Sequence, residues 1–133
     1  MKIRRITPKD YPNVSRFWKK DYTFSKRDTK EKIAILLKKN PSLSVLVEEN
    51  GEVIGTALAS FDGRKGYIQK VAVREDYQGK GLGSRMVKEV IERVKRAGAL
   101  DIRVNCSKES VSFYEKFGFK VKKGLIPLQI KYY

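Results

Sequence analysis

The sequence of 133 residues contains no histidine and one cysteine, Cys106. Without histidine, the side chain that most often serves as general base near neutral pH is missing. Cys106 also lacks the imidazole partner that activates a nucleophilic thiol, so it reads as structural and not as an acyl carrier. A lone cysteine excludes an internal disulfide and makes the cytoplasm the default location. No apolar run approaches the roughly 20 residues a membrane helix requires. The basic start Met1–Arg5 is not followed by the apolar stretch of a signal peptide. No repeat, linker or low-complexity stretch interrupts the chain. No metal site is expected.

Acidic residues are scarce too. Thirty Lys and Arg face 15 Asp and Glu, a net charge of +15. The excess is concentrated in residues 1–40, with 13 basic and 4 acidic side chains, a net of +9. Residues 41–100 carry +2 and the remainder +4. Such a field raises encounter rates with anions, whether phosphorylated cofactors, nucleic acid or acidic substrates, and it equally describes a solvated surface. Hydrophobic residues make up 41% and aromatics 11%, as in a globular chain. The length allows one domain, residues 1–133, with a core of its own.

The most informative stretch is Gln78-Gly79-Lys80-Gly81-Leu82-Gly83. A β-rich run, Tyr67–Val73, precedes it and a strongly periodic helix follows. In a strand, glycine turn and helix, the glycines admit close approach of a ligand. The first N–H groups of the helix lack internal partners and, with the helix dipole, favour a phosphate. The motif is not a dinucleotide-binding fingerprint, which follows a first strand. Nor is it a Walker loop, because Gly83-Ser84 lacks the lysine.

Around this stretch the pattern predicts a first strand over Lys2–Ile6. A helix capped by Asp10 follows, with Val14, Phe17, Trp18 and Tyr22 on one face and an end near Lys20. Asp28-Thr29-Lys30-Glu31 has capping-box spacing. The helix it opens buries Ile33, Leu36 and Leu37, is widened by Ile35 and stops before Pro41. Leu43–Glu49 and Val53–Phe61 read as strands joined by an Asn50-Gly51 hairpin turn, with a weak point or bulge at Gly55. Asp62–Gly66 turns into the third strand, Tyr67–Val73. After the glycines, Leu82, Met86, Val87, Val90, Ile91 and Val94 mark a helix ended by Gly98. Leu100–Val104 is a strand parallel to Tyr67–Val73. Ser110–Phe117 is a short helix, and Phe119–Val121 and Leu125–Tyr132 are final strands, the last at an edge because of Pro127. The fold class is α/β (α+β): a mixed, mostly antiparallel sheet with a β-α-β crossover and helices on both faces.

Two segments carry a family resemblance. Val71-Ala72-Val73-Arg74-Glu75-Asp76-Tyr77-Gln78-Gly79-Lys80-Gly81-Leu82-Gly83 is similar to the strand and Arg/Gln-x-x-Gly-x-Gly/Ala turn of the GCN5-related N-acetyltransferases. Ser112-Phe113-Tyr114-Glu115-Lys116-Phe117-Gly118-Phe119 is similar to the family's Tyr-Glu-x-x-Gly-Phe segment. The element order extends the likeness to essentially the whole chain. The resemblance implies an acetyl-coenzyme A-dependent transfer to a primary amine, without a covalent enzyme intermediate. The diphosphate would rest on backbone N–H groups of Gln78, Gly79, Lys80, Gly81, Leu82, Gly83 and Ser84, with added charge from Lys80 and Arg85. The family's strand bulges before the turn and splays from its neighbour. Val71, Ala72 and Val73 would then lie along the pantetheine arm, and a backbone N–H there would polarise the thioester. Tyr114 would serve as acid towards the departing thiolate.

The acceptor is left open by the resemblance: a small molecule, a protein N-terminus or a lysine. Enzymes that acetylate the N-terminal alanine of a ribosomal protein are similar, but their strand glutamate is Arg103 here and their asparagine is Ser107. A water chain held by Gln69, Tyr67 or a backbone carbonyl is the expected base. The helices that would border the acceptor carry Lys19, Lys20, Lys26, Arg27 and Lys30, which suits an acidic acceptor or one borne on an acidic macromolecule. A non-catalytic module binding coenzyme A or RNA is the competing class. The resemblance is compatible with a monomer or a homodimer.

Overall fold

The computed structural model describes residues 1–20 and 23–133; Tyr22, expected on the first helical face, lies outside the described residues. The elements run β1 (Ile3–Arg5), α1 (Tyr11–Lys20), α2 (Lys30–Lys39), β2 (Val45–Glu49), β3 (Glu52–Phe61), β4 (Lys65–Val73), α3 (Leu82–Ala97), β5 (Asp101–Val104) and α4 (Val111–Glu115). The five strands form one sheet in sequence order. Pairs β1–β2, β2–β3 and β3–β4 are antiparallel, and β4–β5 is parallel. A parallel neighbour requires a crossover, and α3 provides it.

Each sheet face is covered because each helix has one apolar stripe. Val14, Phe17 and Trp18 of α1 join Ile33 and Leu37 of α2 over Leu46, Val53 and Leu58. Leu82, Met86, Val90 and Val94 of α3 pack against Val45, Val47, Ile54, Ala57, Ala59 and Ile68 on the other face. Burying such aliphatic side chains contributes about 1.5–3 kcal/mol each. Two contacts of α3 come close to glycines of the sheet. A Cβ at Gly66 would stand 2.3 Å from Val94 Cγ1, and one at Gly55 would stand 2.8 Å from Met86 Cε.

Several local expectations are corrected. Thr7–Asp10 forms a 3₁₀ turn before α1, and Asp10 does not cap the helix. Its carboxylate accepts from the Thr7 backbone N–H at 2.8 Å and pairs with Arg4. Thr29, not Asp28, caps α2 by accepting from the Lys32 N–H at 3.3 Å. Asp28 instead closes a preceding 3₁₀ turn by accepting from Ser25 N–H at 2.8 Å. In both places the carboxylate sits three residues after a hydroxyl cap and reaches back to it. Ile35 is exposed and does not widen the buried face. At Gly55 the expected irregularity is present: Val47 pairs with Gly55 but Glu48 with Val53, which leaves Ile54 as the extra residue.

The largest departure is at the end of the chain. Residues 119–133 form no strand, although Phe119–Val121 and Leu125–Tyr132 carry strand patterns. A strand needs a partner ladder, and among the described residues the segment pairs with none. The sheet therefore ends at β5.

Candidate active site

The site starts from a defect in β4. β4 and β5 pair from Lys65 opposite Asp101 to Ile68 opposite Val104, and no further. On its other side β4 stays paired to β3 as far as Val73 opposite Gly55. Between Thr56 and Leu58 the β3–β4 register slips by one residue on β4, and Lys70 there adopts φ +54°. β5 ends at Val104, so Gln69–Val73 present one backbone edge that no strand of the sheet covers. The bulge expected from the resemblance is present here, at a left-handed lysine.

The bulge is tied from behind. Thr56 Oγ1 donates to the Lys70 carbonyl at 2.9 Å and accepts from Trp18 Nε1 at 2.9 Å. The Lys70 ammonium lies 2.6 Å from Asp28 Oδ2 and 4.8 Å from the centre of the Trp18 ring. It also donates to the Thr23 carbonyl. Asp28 and Thr56 are buried. None of these groups was singled out from the sequence as part of the site. A β-strand lysine gives no signal for a bulge, and its partners lie 14 to 47 residues away.

Beyond Val73 the chain makes a 3₁₀ turn at Glu75–Tyr77 and enters the glycine stretch. Gly79 (φ +78°) and Gly81 (φ +82°) are left-handed, a conformation other residues resist, and the space where each Cβ would lie is open. Gly81 is the N-cap of α3 and brings no side-chain acceptor. The first bond inside α3 runs from Arg85 N–H to the Gly81 carbonyl at 3.1 Å. The N–H groups of Leu82, Gly83 and Ser84 therefore lie ahead of the helical ladder, at the positive end of a 16-residue helix. This geometry fits an anionic diphosphate: backbone donors, no Cβ in the way and a favourable dipole.

The side chains of this stretch divide in their roles. Leu82 is buried in the core. Gln78 Nε2 donates to the Val73 carbonyl at 2.9 Å, which fastens the turn to the end of β4. The Lys80 ammonium lies over the Tyr77 ring at 5.4 Å. Arg85 donates to the Met1 carbonyl at 3.1 Å. Lys116, not foreseen as a site residue, brings its ammonium to 3.4 Å from Ser84 Oγ. Its place two residues after Tyr114 is explicable in hindsight, because α4 packs beside the first turn of α3: a Cβ at Gly83 would meet Phe113 Cζ at 3.6 Å.

Tyr114 is buried, with 8% of its surface exposed. Its ring meets Phe113 and Phe119 edge to face at 4.9 and 5.7 Å. Burial first, and then the neighbouring Cys106 side chain, hold the phenol above its ordinary pKa. It is therefore a neutral O–H donor at physiological pH. Cys106 is exposed. Tyr67 accepts from Asn105 Nδ2 at 3.3 Å, just beyond the end of β5. Arg103 stands opposite Tyr67 in the parallel register. Gln69 is half-buried on the unpaired stretch. Lys19, Lys20, Lys26, Arg27 and Lys30 are all exposed. Lys19 stacks over Phe24 at 4.9 Å, and Arg27 donates to the Tyr133 hydroxyl at 2.9 Å. Among the described residues no group of His, Cys, Asp and Glu is arranged to hold a metal ion, and no helix is long and apolar enough to cross a membrane.

Residues 3–119 match the family described as Acetyltransferase (GNAT) family. An acetyltransferase of Sodalis glossinidius is 25% identical over 132 residues, covering 96% of this chain and 93% of its own. Among solved structures, Ard1 of Thermoplasma volcanium superposes with a TM-score of 0.77 at 25% identity, over 91% of this chain and 83% of that one. The PaiA N-acetyltransferase of Thermoplasma acidophilum, solved in complex with coenzyme A, has a TM-score of 0.72 at 21% identity, over 91% and 90%.

Proposed function

The chain belongs to the acetyltransferase (GNAT) family, and from that membership and the site geometry we propose that residues 1–133 act as one acetyl-coenzyme A-dependent N-acetyltransferase acting on a primary amine. The observation that carries this reading is the uncovered edge of β4. Its pairing to β5 ends at Ile68, and the same strand leads directly into the Gly79–Gly81 turn and the uncapped start of α3. A thin, extended ligand with an anionic end fits that combination. That a protein of the same fold was solved with coenzyme A supports it.

Bound acetyl-coenzyme A supplies a thioester, an acetyl carbon already activated towards an amine. The chain's own groups do the rest. N–H groups of Gly79–Ser84 hold the diphosphate, with Lys80 and Lys116 adding positive charge; the Gln78 N–H, expected among them, is taken by the Glu75 carbonyl at 3.2 Å. The free edge of Val71, Ala72 and Val73 aligns the arm, and a backbone N–H after the Lys70 bulge donates to the thioester carbonyl. That donor is fixed in advance, so it stabilises developing negative charge without reorganisation. The amine nitrogen bonds to the acetyl carbon as the carbon–sulfur bond breaks, and the sulfur leaves with the bonding pair. Tyr114 O–H donates its proton to that sulfur and is reprotonated from solvent. Water beside Tyr67 and Gln69 takes the proton released by nitrogen.

The test is release of free thiol from acetyl-coenzyme A in the presence of small amines, lysine peptides and peptides of varied N-termini. Acceptor-dependent release is expected, and Tyr114→Phe should lower kcat about 10²-fold or more with little change in cofactor Kd. Tight cofactor binding with no release for any acceptor would instead favour a binding module.

The exposed basic cluster supports an acidic acceptor. Glutamine at Lys19, Lys20, Lys26 and Lys30 should raise the acceptor KM, and the difference should shrink as salt screens the field. An unchanged KM at low salt overturns this.

A further inference from the structure

We propose that Thr56, held by Trp18, is a positioning residue of the acetyl transfer: its hydroxyl fixes the Lys70–Val71 peptide so that the Val71 N–H faces the thioester carbonyl. This rests on the acetyltransferase reading and names the side chains on which its backbone donor depends.

The direction of that N–H follows from the register. Arg74 N–H donates to the Ile54 carbonyl of β3 at 2.8 Å. Backbone N–H groups alternate between the two edges of a strand. Ala72, opposite Thr56, therefore faces β3, while Val73 and Val71 face the edge that β5 leaves uncovered. On the other side of the bulge Gln69 pairs with Leu58, so Lys70 and Val71 together stand opposite Ala57. At a bulge the ladder is locally interrupted, and the peptide joining these two residues must be held by something else.

Thr56 holds it. Its Oγ1 donates to the Lys70 carbonyl at 2.9 Å. A threonine hydroxyl has one proton to give. Trp18 Nε1 donates to the same oxygen at 2.9 Å, which occupies a lone pair and directs the hydroxyl proton to Lys70. A trans peptide is planar, so the C=O of Lys70 and the N–H of Val71 point in opposite directions. Fixing the first on Thr56 aims the second at the uncovered edge. The bond accepted by the carbonyl also polarises the N–H of the same peptide and makes it a stronger donor.

The anchor is firm. Thr56 and Trp18 are fully buried. The Trp18 ring also carries the Lys70 ammonium at 4.8 Å, and that ammonium pairs with Asp28 at 2.6 Å. Lys70 is thus restrained through both its carbonyl and its side chain, in a left-handed backbone that a side chain disfavours. Packing alone does not ask for a hydroxyl here. Thr56 stands opposite Leu46 on the face that buries Leu46 and Leu58, where a valine of the same shape would suit an apolar core at least as well. The use of the hydroxyl is the peptide it holds.

Infrared difference spectra of bound acetyl-coenzyme A, isotope-labelled at the thioester carbonyl, read this donor directly and need no turnover. In the native chain the carbonyl band should lie below that of the free cofactor. In Thr56→Val it should move back towards the free position with little change in cofactor Kd. The kcat, with an amine that supports thiol release, should fall about 10-fold or more. Thr56→Ser keeps the hydroxyl and loses the methyl. It should recover most of the band shift and of kcat, although it unfolds more easily for the cavity it leaves. Trp18→Phe should give an intermediate band, because the freed hydroxyl can rotate. A merely structural role predicts instead that band and kcat follow stability across the variants. That result overturns the proposal, as does a native-like band in Thr56→Val or an unshifted band in the native chain. Should Thr56→Val not fold, Trp18→Phe decides by the same criterion. Failure of the native chain to bind acetyl-coenzyme A overturns the acetyltransferase reading and the role of Thr56 with it. A shifted band without thiol release for any acceptor supports the donor and counts against transfer alone.

Discussion

The ammonium of Lys70 and the carboxylate of Asp28 stand 2.6 Å apart, with 15% and 6% of their side chains exposed. Lys70 is the residue whose left-handed backbone makes the β4 bulge, and Asp28 lies between the two helices that border the proposed acceptor side. One ion pair thus joins the two halves of the candidate site. Removing a single member of a buried pair leaves the other charge without compensation and costs about 3–5 kcal/mol. Lys70→Met and Asp28→Asn should each lower unfolding stability in urea, and the double variant should cost clearly less than the sum of the two. Additive losses would mean that the two groups are not coupled.

Gly81→Glu places a carboxylate at the proposed diphosphate cradle. The space there is open, so the protein should fold, with a penalty of about 1–2 kcal/mol for a side chain at positive φ. Calorimetric titration should detect no acetyl-coenzyme A binding. Gly81→Ala, which has the same backbone strain without the charge, should retain weakened binding. Undiminished affinity in the glutamate variant would remove the diphosphate from this turn.

Packing under α3 makes a sharper demand at Gly66 than at Gly55. The atom that a Cβ at Gly66 would strike, Val94 Cγ1, belongs to a stiff β-branched side chain. At Gly55 the nearest atom is the end of flexible Met86. Gly66→Ala should cost about 1–3 kcal/mol, and Val94→Ala should recover part of that loss when combined with it. Gly55→Ala should cost less. Chemical denaturation of the four variants decides the order.

Acid should loosen the start of the fold. The Arg4 guanidinium holds Asp10 bidentately at 2.8 and 3.0 Å, and with the Thr7 N–H it lowers the carboxyl pKa below 3.8. A depressed folded-state pKa gives stability that is present above the unfolded value and lost as pH falls through the folded one. Asp10→Asn should therefore be less stable than the native protein near about pH 6, with the gap closing below about pH 4. A gap independent of pH would assign the loss to something other than the ionised carboxylate.

Much of the site was legible because it depends on backbone conformation encoded locally. Glycines at 79 and 81, a periodic helix after them and a β-rich run before them specify a strand-turn-helix wherever the chain places it. Tyr114 is a candidate from its motif, and its burial against Phe113 and Phe119 comes from the tertiary structure. Lys70, Thr56, Trp18 and Asp28 were not legible as a network, because nothing in a sequence states which residue will occupy a bulge or what will lie behind it. Lys116 was missed because its proximity to Ser84 comes from α4 packing on α3, a relation between distant segments.

By itself the sequence determined the order and type of the elements through Phe117 and the main apolar face of each long helix, since propensity and periodicity act over a few residues; which residue caps α1 and α2 it did not determine. It also assigned strands to 119–121 and 125–132, and their alternation is genuine. Only the tertiary structure decided that these stretches find no ladder within the chain. A strand is completed by hydrogen bonds to a neighbour, so its pattern records the intention to pair while the partner is chosen by geometry. The same reason governs the uncovered edge of β4. Both strands are encoded locally, and which β4 residues lie beyond the last β5 partner, Val104, is set only by the register in which the two are laid side by side.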